Sequence, residues 1–306
     1  MVKTFINRYQ HIFHIIRKGV YLIVVVGLVA YLYLLGAKPW HYLFENWQTF
    51  LAVVVISGVA IFVQAASFRE VQPIGSSRLS WVELTRIWSF SGIVSVIAPV
   101  FAGLATRTTL LVEAGMTLPV CMVASARQIW VGLEYALLLG GIAGFFVEYP
   151  GIEFFAALFV VVGMAMILLR LYEAGFQARS CARGLRWMES FRLPVVGRAH
   201  PWFIAQLGVM ATIYYVTFNG LGATMGWHEA MMLSTVTILA SLIIVVPNGL
   251  GIMDVLWVIV AKESGLGLEE SVALAIIVRL AYLVSAVMIW ATLFFARNVM
   301  SRNDER

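Results

Sequence analysis

Pro247-Asn248-Gly249-Leu250-Gly251-Ile252-Met253-Asp254 sets a proline, two glycines and a carboxylate inside one of the most hydrophobic parts of the chain. The run from Met231 to Val246 before it reads as an apolar helix, and Val255 to Ala261 after it reads as another. Proline removes a backbone donor and glycine loosens the chain, so the break leaves polar backbone groups that hydrocarbon cannot satisfy. Such backbone persists at membrane depth only where protein buries it or a wet cavity receives it. Broken helices of this kind point to the binding site of a transporter. The expectation is a membrane transporter whose site includes Pro247, Asn248, Gly249, Gly251 and Asp254.

Working outward, the composition fits that setting. The chain has 306 residues, of which 61% are hydrophobic and 12% charged. That is an integral membrane composition, with room for six to eight hydrophobic segments of about 20 residues and none for a separate soluble domain. One polytopic domain is expected over 1–306. The net charge of +5 does not indicate nucleic acid, because the basic residues cluster beside hydrophobic segments, where they set orientation. Cys121 and Cys181 lie far apart and in no metal spacing, so both are expected as free thiols.

Lys3, Arg8, Arg17 and Lys18 precede an apolar run from Gly19 to Gly36 with no cleavage signature after it, which reads as a retained first span. Lys38 to Gln48 reads as a short loop whose Trp40, Tyr42 and Trp47 suit the headgroup region, and Thr49 to Phe68 as the second span. An apolar helix from Trp81 to Ala98 then meets Pro99, Gly103 and Arg107. A shorter segment, Thr108 to Met116, follows, and Pro119 opens a long helix ending near Phe146. The loop Val147 to Glu153 is acidic and should face outward. Phe154 to Leu171 returns inside, where Arg179, Arg183, Arg186, Arg192 and Arg198 crowd one loop against Glu189. Trp202 to Leu221 crosses outward again. The acidic turn Glu263 to Glu270 precedes the last span, Ser271 to Ala296, and Arg297, Arg302 and Arg306 put the carboxyl terminus inside. Both termini are thus expected in the cytoplasm.

The two halves match. Pro99, Gly103, Gly115 and Arg127 are spaced by 4, 12 and 12 residues, and Pro247, Gly251, Gly265 and Arg279 by 4, 14 and 14. Each half, about 19–146 and about 154–296, reads as two spans, a broken re-entrant hairpin and one long span. Charge parity starts the first hairpin from the cytoplasm and the second from outside, so the repeats are inverted, a common transporter plan. The expected fold is all-α, with about six full spans and two hairpins.

Charge in the bilayer singles out the functional residues, because it costs roughly 3 kcal/mol at a helix centre on insertion scales. Arg127 lies eight residues past Pro119 and Arg279 nine past Glu270, roughly 12 to 13 Å deep at about 1.5 Å per residue. Arg107 follows the first break and Asp254 the second. The four could converge where the hairpin tips meet, with the guanidiniums holding a phosphate by bidentate bonds and Asp254 gating it. The structural alternative pairs Arg127 with Glu134 or Glu113, and Asp254 with an arginine.

None of His11, His14, His41, His200 and His228 belongs to a zinc-protease spacing, and neither a nucleophile elbow nor a phosphate-binding P-loop occurs. No catalytic residue, metal or cofactor is expected. Two alternatives stay open, namely a non-transporting scaffold for a lipid-modifying enzyme or glycosyltransferase and an intramembrane lipid transferase using Asp254 or Glu113.

Pro247-Asn248-Gly249-Leu250-Gly251 with Asp254, followed by Gly265 and Arg279, resembles the P-G-G-x-G-x-x-[DE] signature of the lysylphosphatidylglycerol synthase transmembrane-region family, with Asn248 in place of a glycine of that signature. Pro99, Gly103, Arg107, Leu110 and Gly115 are similar to that family's other motif. The resemblance covers about Trp81 to Ala296. It implies a flippase domain that moves lipids with anionic or modified headgroups across a bacterial or archaeal cytoplasmic membrane. Because the chain ends at Arg306, the aminoacyl-transferase domain and its synthase activity are expected to be absent. Membrane lipids are the expected ligands. A second copy of the chain and a lipid-synthesis enzyme are left open as protein partners.

Overall fold

A computed structural model describes residues 38–73, 79–97, 100–180, 198–241 and 252–304, and among these the chain forms helices and turns with no strand. The helices are α1 (Lys38–Glu45), α2 (Trp47–Val71), α3 (Trp81–Ile97), α4 (Val100–Glu113), α5 (Leu118–Gly144), α6 (Ile152–Ser180), α7 (His200–Gly220), α8 (Trp227–Ser241), α9 (Ile252–Glu263) and α10 (Leu268–Asp304). Four segments are long and apolar enough to cross a bilayer: Trp47–Val71, Ile152–Tyr172, His200–Gly220 and Glu269–Ala296. The chain is a multi-pass membrane protein. At 27 residues α5 is also long enough, about 40 Å, and carries Arg127, Gln128 and Glu134 along its length.

Local chemistry sets the ends of these helices. Gly115 and Gly265 have φ of 97° and 92°, the left-handed region where glycine carries no Cβ penalty. Each closes a Schellman motif. The Met116 amide donates to the Leu111 carbonyl at 3.0 Å and the Leu266 amide to the Ala261 carbonyl at 3.0 Å, which satisfies carbonyls the helix end would orphan. Helix starts are sealed by acids three residues in. The Glu83 amide donates to Ser80 Oγ at 3.2 Å, and Glu229 and Glu270 accept from the Gly226 and Gly267 amides. Glu270, at the end of the acidic turn read from the sequence, is thus part of the start of α10.

The paired segments α3–α4 and α8–α9 have 17, 14, 15 and 12 residues. That gives rods of about 18 to 26 Å, against a hydrocarbon core of about 30 Å. Two apolar cores follow from them. One gathers Phe68, Leu84, Trp88, Leu111, Met116 and Leu283 around α3–α4. The other gathers Tyr214, Phe218, Leu233, Trp257, Leu266 and Leu274 around α8–α9. The long helices cross over between them: α10 packs on α3 as well as α9, and α5 packs on α8 as well as α4. Helices α2 and α7 lie side by side between the two.

Small residues make these approaches close, as in most membrane helix pairs. A Cβ on Gly140 would collide with the Thr235 side chain, one on Gly220 with Thr49, and one on Gly141 with the backbone of α6 at Ala156. By contrast α6 exposes Phe154, Val161, Leu168 and Tyr172, an apolar face suited to acyl chains.

Three expectations need correction. Lys38 to Gln48 is not a loop: it is helical through Glu45, because Leu43 packs on Ile276 and Leu280 while exposed His41 and Glu45 pair at 3.2 Å on the other side. The segment after the first break begins at Val100 rather than Thr108, since Gly103 lets α4 lie directly on α3. Glu134, offered as a partner for Arg127, has its ion pair at 3.2 Å with Arg170 of α6, which that helix's packing on α5 brings alongside. Cys121 is a buried free thiol; Cys181 lies outside the described residues.

Candidate functional site

A cavity of about 400 Å³ lies among α2, α3, α4, α5, α7, α8, α9 and α10. Its wall includes Ser95 and Val96 near the end of α3 and Ile238 and Ser241 at the end of α8. The last turns of α3 and α8 therefore meet at one space. Arg107 of α4 and Arg279 of α10 also line it.

Each arginine lies against a tryptophan. The Arg107 guanidinium carbon is 4.4 Å from the centre of the Trp88 ring, and that of Arg279 is 5.8 Å from the Trp257 ring. A cation over an indole gains about 0.5 to 2 kcal/mol, which offsets part of the cost of placing charge in the bilayer. The Arg107 Nε donates to Ser91 Oγ at 3.3 Å, and the Trp257 Nε1 donates to Thr237 Oγ1 at 3.2 Å. These contacts use the ring face and Nε of Arg107. Its two terminal nitrogens have no acceptor among the described residues, an arrangement that can present a two-pronged donor to an oxyanion. Gly103 is explained here as well: a Cβ would collide with Ser95, whose hydroxyl donates to the Ser91 carbonyl at 2.8 Å beneath Arg107.

The sequence-predicted residues separate into three groups. Arg107 and Arg279 share the cavity. Arg127 is elsewhere: its Nη1 donates to the Val71 carbonyl at 3.3 Å, near the end of α2, and it does not line this cavity. Pro99, Pro247, Asn248, Gly249 and Gly251 lie outside the described residues. The backbone of Asp254 is in the first turn of α9, one turn before Trp257, but its side chain lies outside what is described.

Sequence reasoning passed over the uncharged polar residues. Gln64 of α2, Gln128 of α5 and Gln206 of α7 all line the cavity. Gln128 is the immediate neighbour of Arg127, so the helix turn that takes the arginine away brings the amide in. Its Nε2 donates to the Gln64 carbonyl at 2.9 Å and to Ser67 Oγ at 2.8 Å. The signal was present: an amide in the middle of an apolar span needs a partner as an arginine does, though at lower cost.

Outside the cavity, Arg170 Nη1 and Glu134 Oε2 pair between α6 and α5, and Trp130 Nε1 donates to Glu134 Oε1 at 2.8 Å. Tyr135 hydrogen-bonds His200 Nδ1 where α7 begins. No family model, curated protein or solved structure matches the chain.

Proposed function

We propose that the chain is a lipid transporter of a bacterial or archaeal cytoplasmic membrane, moving a phospholipid or other lipid with an anionic headgroup from one leaflet to the other. The observation that carries this reading is that Arg107 and Arg279 line one cavity together with the last turns of α3 and α8. A phosphate oxyanion is the natural third member of such a pair. Asp254, at the start of α9, is the acid proposed to hold one guanidinium until phosphate replaces it. That exchange swaps one charge-assisted pair for another and ties binding to movement of the second hairpin.

The inverted-repeat plan supports the same reading. Arms of 12 to 17 residues suit re-entrant hairpins, and the packing of each long helix on the other half's hairpin is what a two-fold related pair of repeats produces. With α5 and the expected span from Gly19 to Gly36 added to the four apolar helices, the plan is six spans and two hairpins. The family resemblance read from Pro247 to Asp254 fits a flippase-like domain of the lysylphosphatidylglycerol synthase transmembrane-region type. The test is reconstitution in vesicles with a fluorescent anionic phospholipid. Transbilayer movement should be lost in Arg107→Gln and Arg279→Gln at unchanged melting temperature. Movement that survives both substitutions removes the transporter reading in favour of a scaffold.

A further inference from the structure

We infer that the headgroup taken by this cavity carries, beyond its phosphate, an uncharged portion rich in hydroxyl groups, which docks on Gln64, Gln128 and Gln206. The inference rests on the transport reading and specifies its substrate class.

The argument starts from the polar atoms the protein leaves over. Gln128 Nε2 is committed to the Gln64 carbonyl and Ser67 Oγ, and Ser67 Oγ also lies 3.4 Å from Gln206 Oε1. Among the described residues the Gln64 side-chain amide, the Gln128 oxygen and the Gln206 nitrogen have no protein partner. Ser57, which is 1% exposed and also lines the cavity, has an Oγ with no hydrogen-bond partner either. The set therefore offers donors and acceptors together.

Ligand groups differ in how they meet such a set. A phosphate only accepts, so it would satisfy the amide nitrogens while turning its charge toward the Gln128 oxygen. An ammonium only donates and would face two guanidiniums, with no carboxylate among the described lining residues. Hydroxyls both donate and accept and carry no charge, so of these three groups they complement every leftover atom. The arginines and the amides come from different helices of the same wall: Arg107 and Arg279 on α4 and α10, the glutamines on α2, α5 and α7. The bonds from Gln128 fix the orientation of α5 against α2 before any ligand arrives, so less ordering is left to binding. A bare phosphate would leave most of about 400 Å³ unfilled, whereas that volume falls in the range used for compact organic ligands.

The test is native mass spectrometry of the purified full chain with phosphatidylinositol, phosphatidic acid and phosphatidylethanolamine of identical acyl chains, plus water-soluble glycerophosphoinositol. Phosphatidylinositol should be retained at least about fivefold better than the other two lipids, the factor expected for one additional net hydrogen bond. Gln64→Met should abolish that preference while leaving phosphatidic acid unchanged. Among the described residues no hydrogen bond uses the Gln64 side chain, so Gln64→Met leaves the bonds that join α2 and α5 in place, and Ser57→Ala gives a second, milder variant. Arg107→Gln should weaken all the anionic lipids together. Equal retention of phosphatidylinositol and phosphatidic acid by the wild type, or an equal loss of both in Gln64→Met, overturns the polyol assignment. Glycerophosphoinositol binding as tightly as the lipid overturns the lipid source. Loss of anionic selectivity altogether, with Arg107→Gln silent, overturns the transport reading beneath it.

Discussion

Arg170 Nη1 stands 3.2 Å from Glu134 Oε2, an ion pair between α6 and α5 in which the carboxylate side chain is 0% exposed. Removing one partner of a buried pair strands the other charge, at about 3 to 5 kcal/mol, whereas replacing both by apolar groups is often neutral. Arg170→Met and Glu134→Leu should each lower the melting temperature sharply, and the double substitution should recover most of the loss. A double-mutant cycle on the detergent-purified protein measures this; additive losses would mean that the pair contributes no coupling.

The arginines should divide by location. Arg107→Gln and Arg279→Gln are expected to weaken anionic-lipid binding by about 1.5 to 3 kcal/mol, the range for a hydrogen bond to a charged group, with little change for a neutral lipid. Arg127→Gln should leave binding intact and cost stability instead, because its guanidinium serves the Val71 carbonyl rather than the cavity. Lipid titrations on the three variants, paired with melting curves, test the division. Equal binding losses in all three would restore the shared site of three arginines.

Glycine positions predict where the helix packing is tight. Gly140→Val should destabilise by about 1 to 3 kcal/mol, since the new side chain must displace Thr235, whose Oγ1 donates to the Ala136 carbonyl at 2.8 Å across the α5–α8 contact. Gly208→Ala, on α7, should be neutral or slightly stabilising, because no atom lies within 4 Å of where its Cβ would sit. Thermal shift assays on the pair compare them directly.

Topology is testable without transport. Single cysteines at positions 183 and 75 should be protected from an impermeant thiol reagent in intact cells, and cysteines at 148 and 269 should react. Hairpins that cross fully would not change these sides, since two crossings cancel. External labelling at 183 would reverse the orientation.

Much of the helical plan was legible because apolar length and punctuation are local properties. Pro119 could be read directly as the start of α5, whereas Gly115 and Gly265, which close α4 and α9, stood out only by their spacing in the repeat. The amphipathic α1 was missed because its short apolar face has meaning only once Ile276 and Leu280 are beside it. The site was half legible. Charge in an apolar run announced Arg107 and Arg279, but the facing direction of Arg127 depends on its neighbours, and Arg170 drew no notice near the end of its span. The amides were overlooked because their cost is smaller than that of charge, although three of them converge on the cavity.

The exchange of partners between the long helices also has a consequence for biosynthesis. Helix α3 ends at Ile97, and α10, on which it packs, does not begin until Leu268, 171 residues later. At about 5 to 20 residues per second, the interval is roughly ten to thirty seconds of translation. During that time the ribosome-bound chain must hold the Arg107 hairpin against α2 and α5 without Leu283 and Tyr282 to complete its pocket. The newborn protein therefore carries the Arg107 segment unsealed through that interval, and its pocket closes only when α10 arrives.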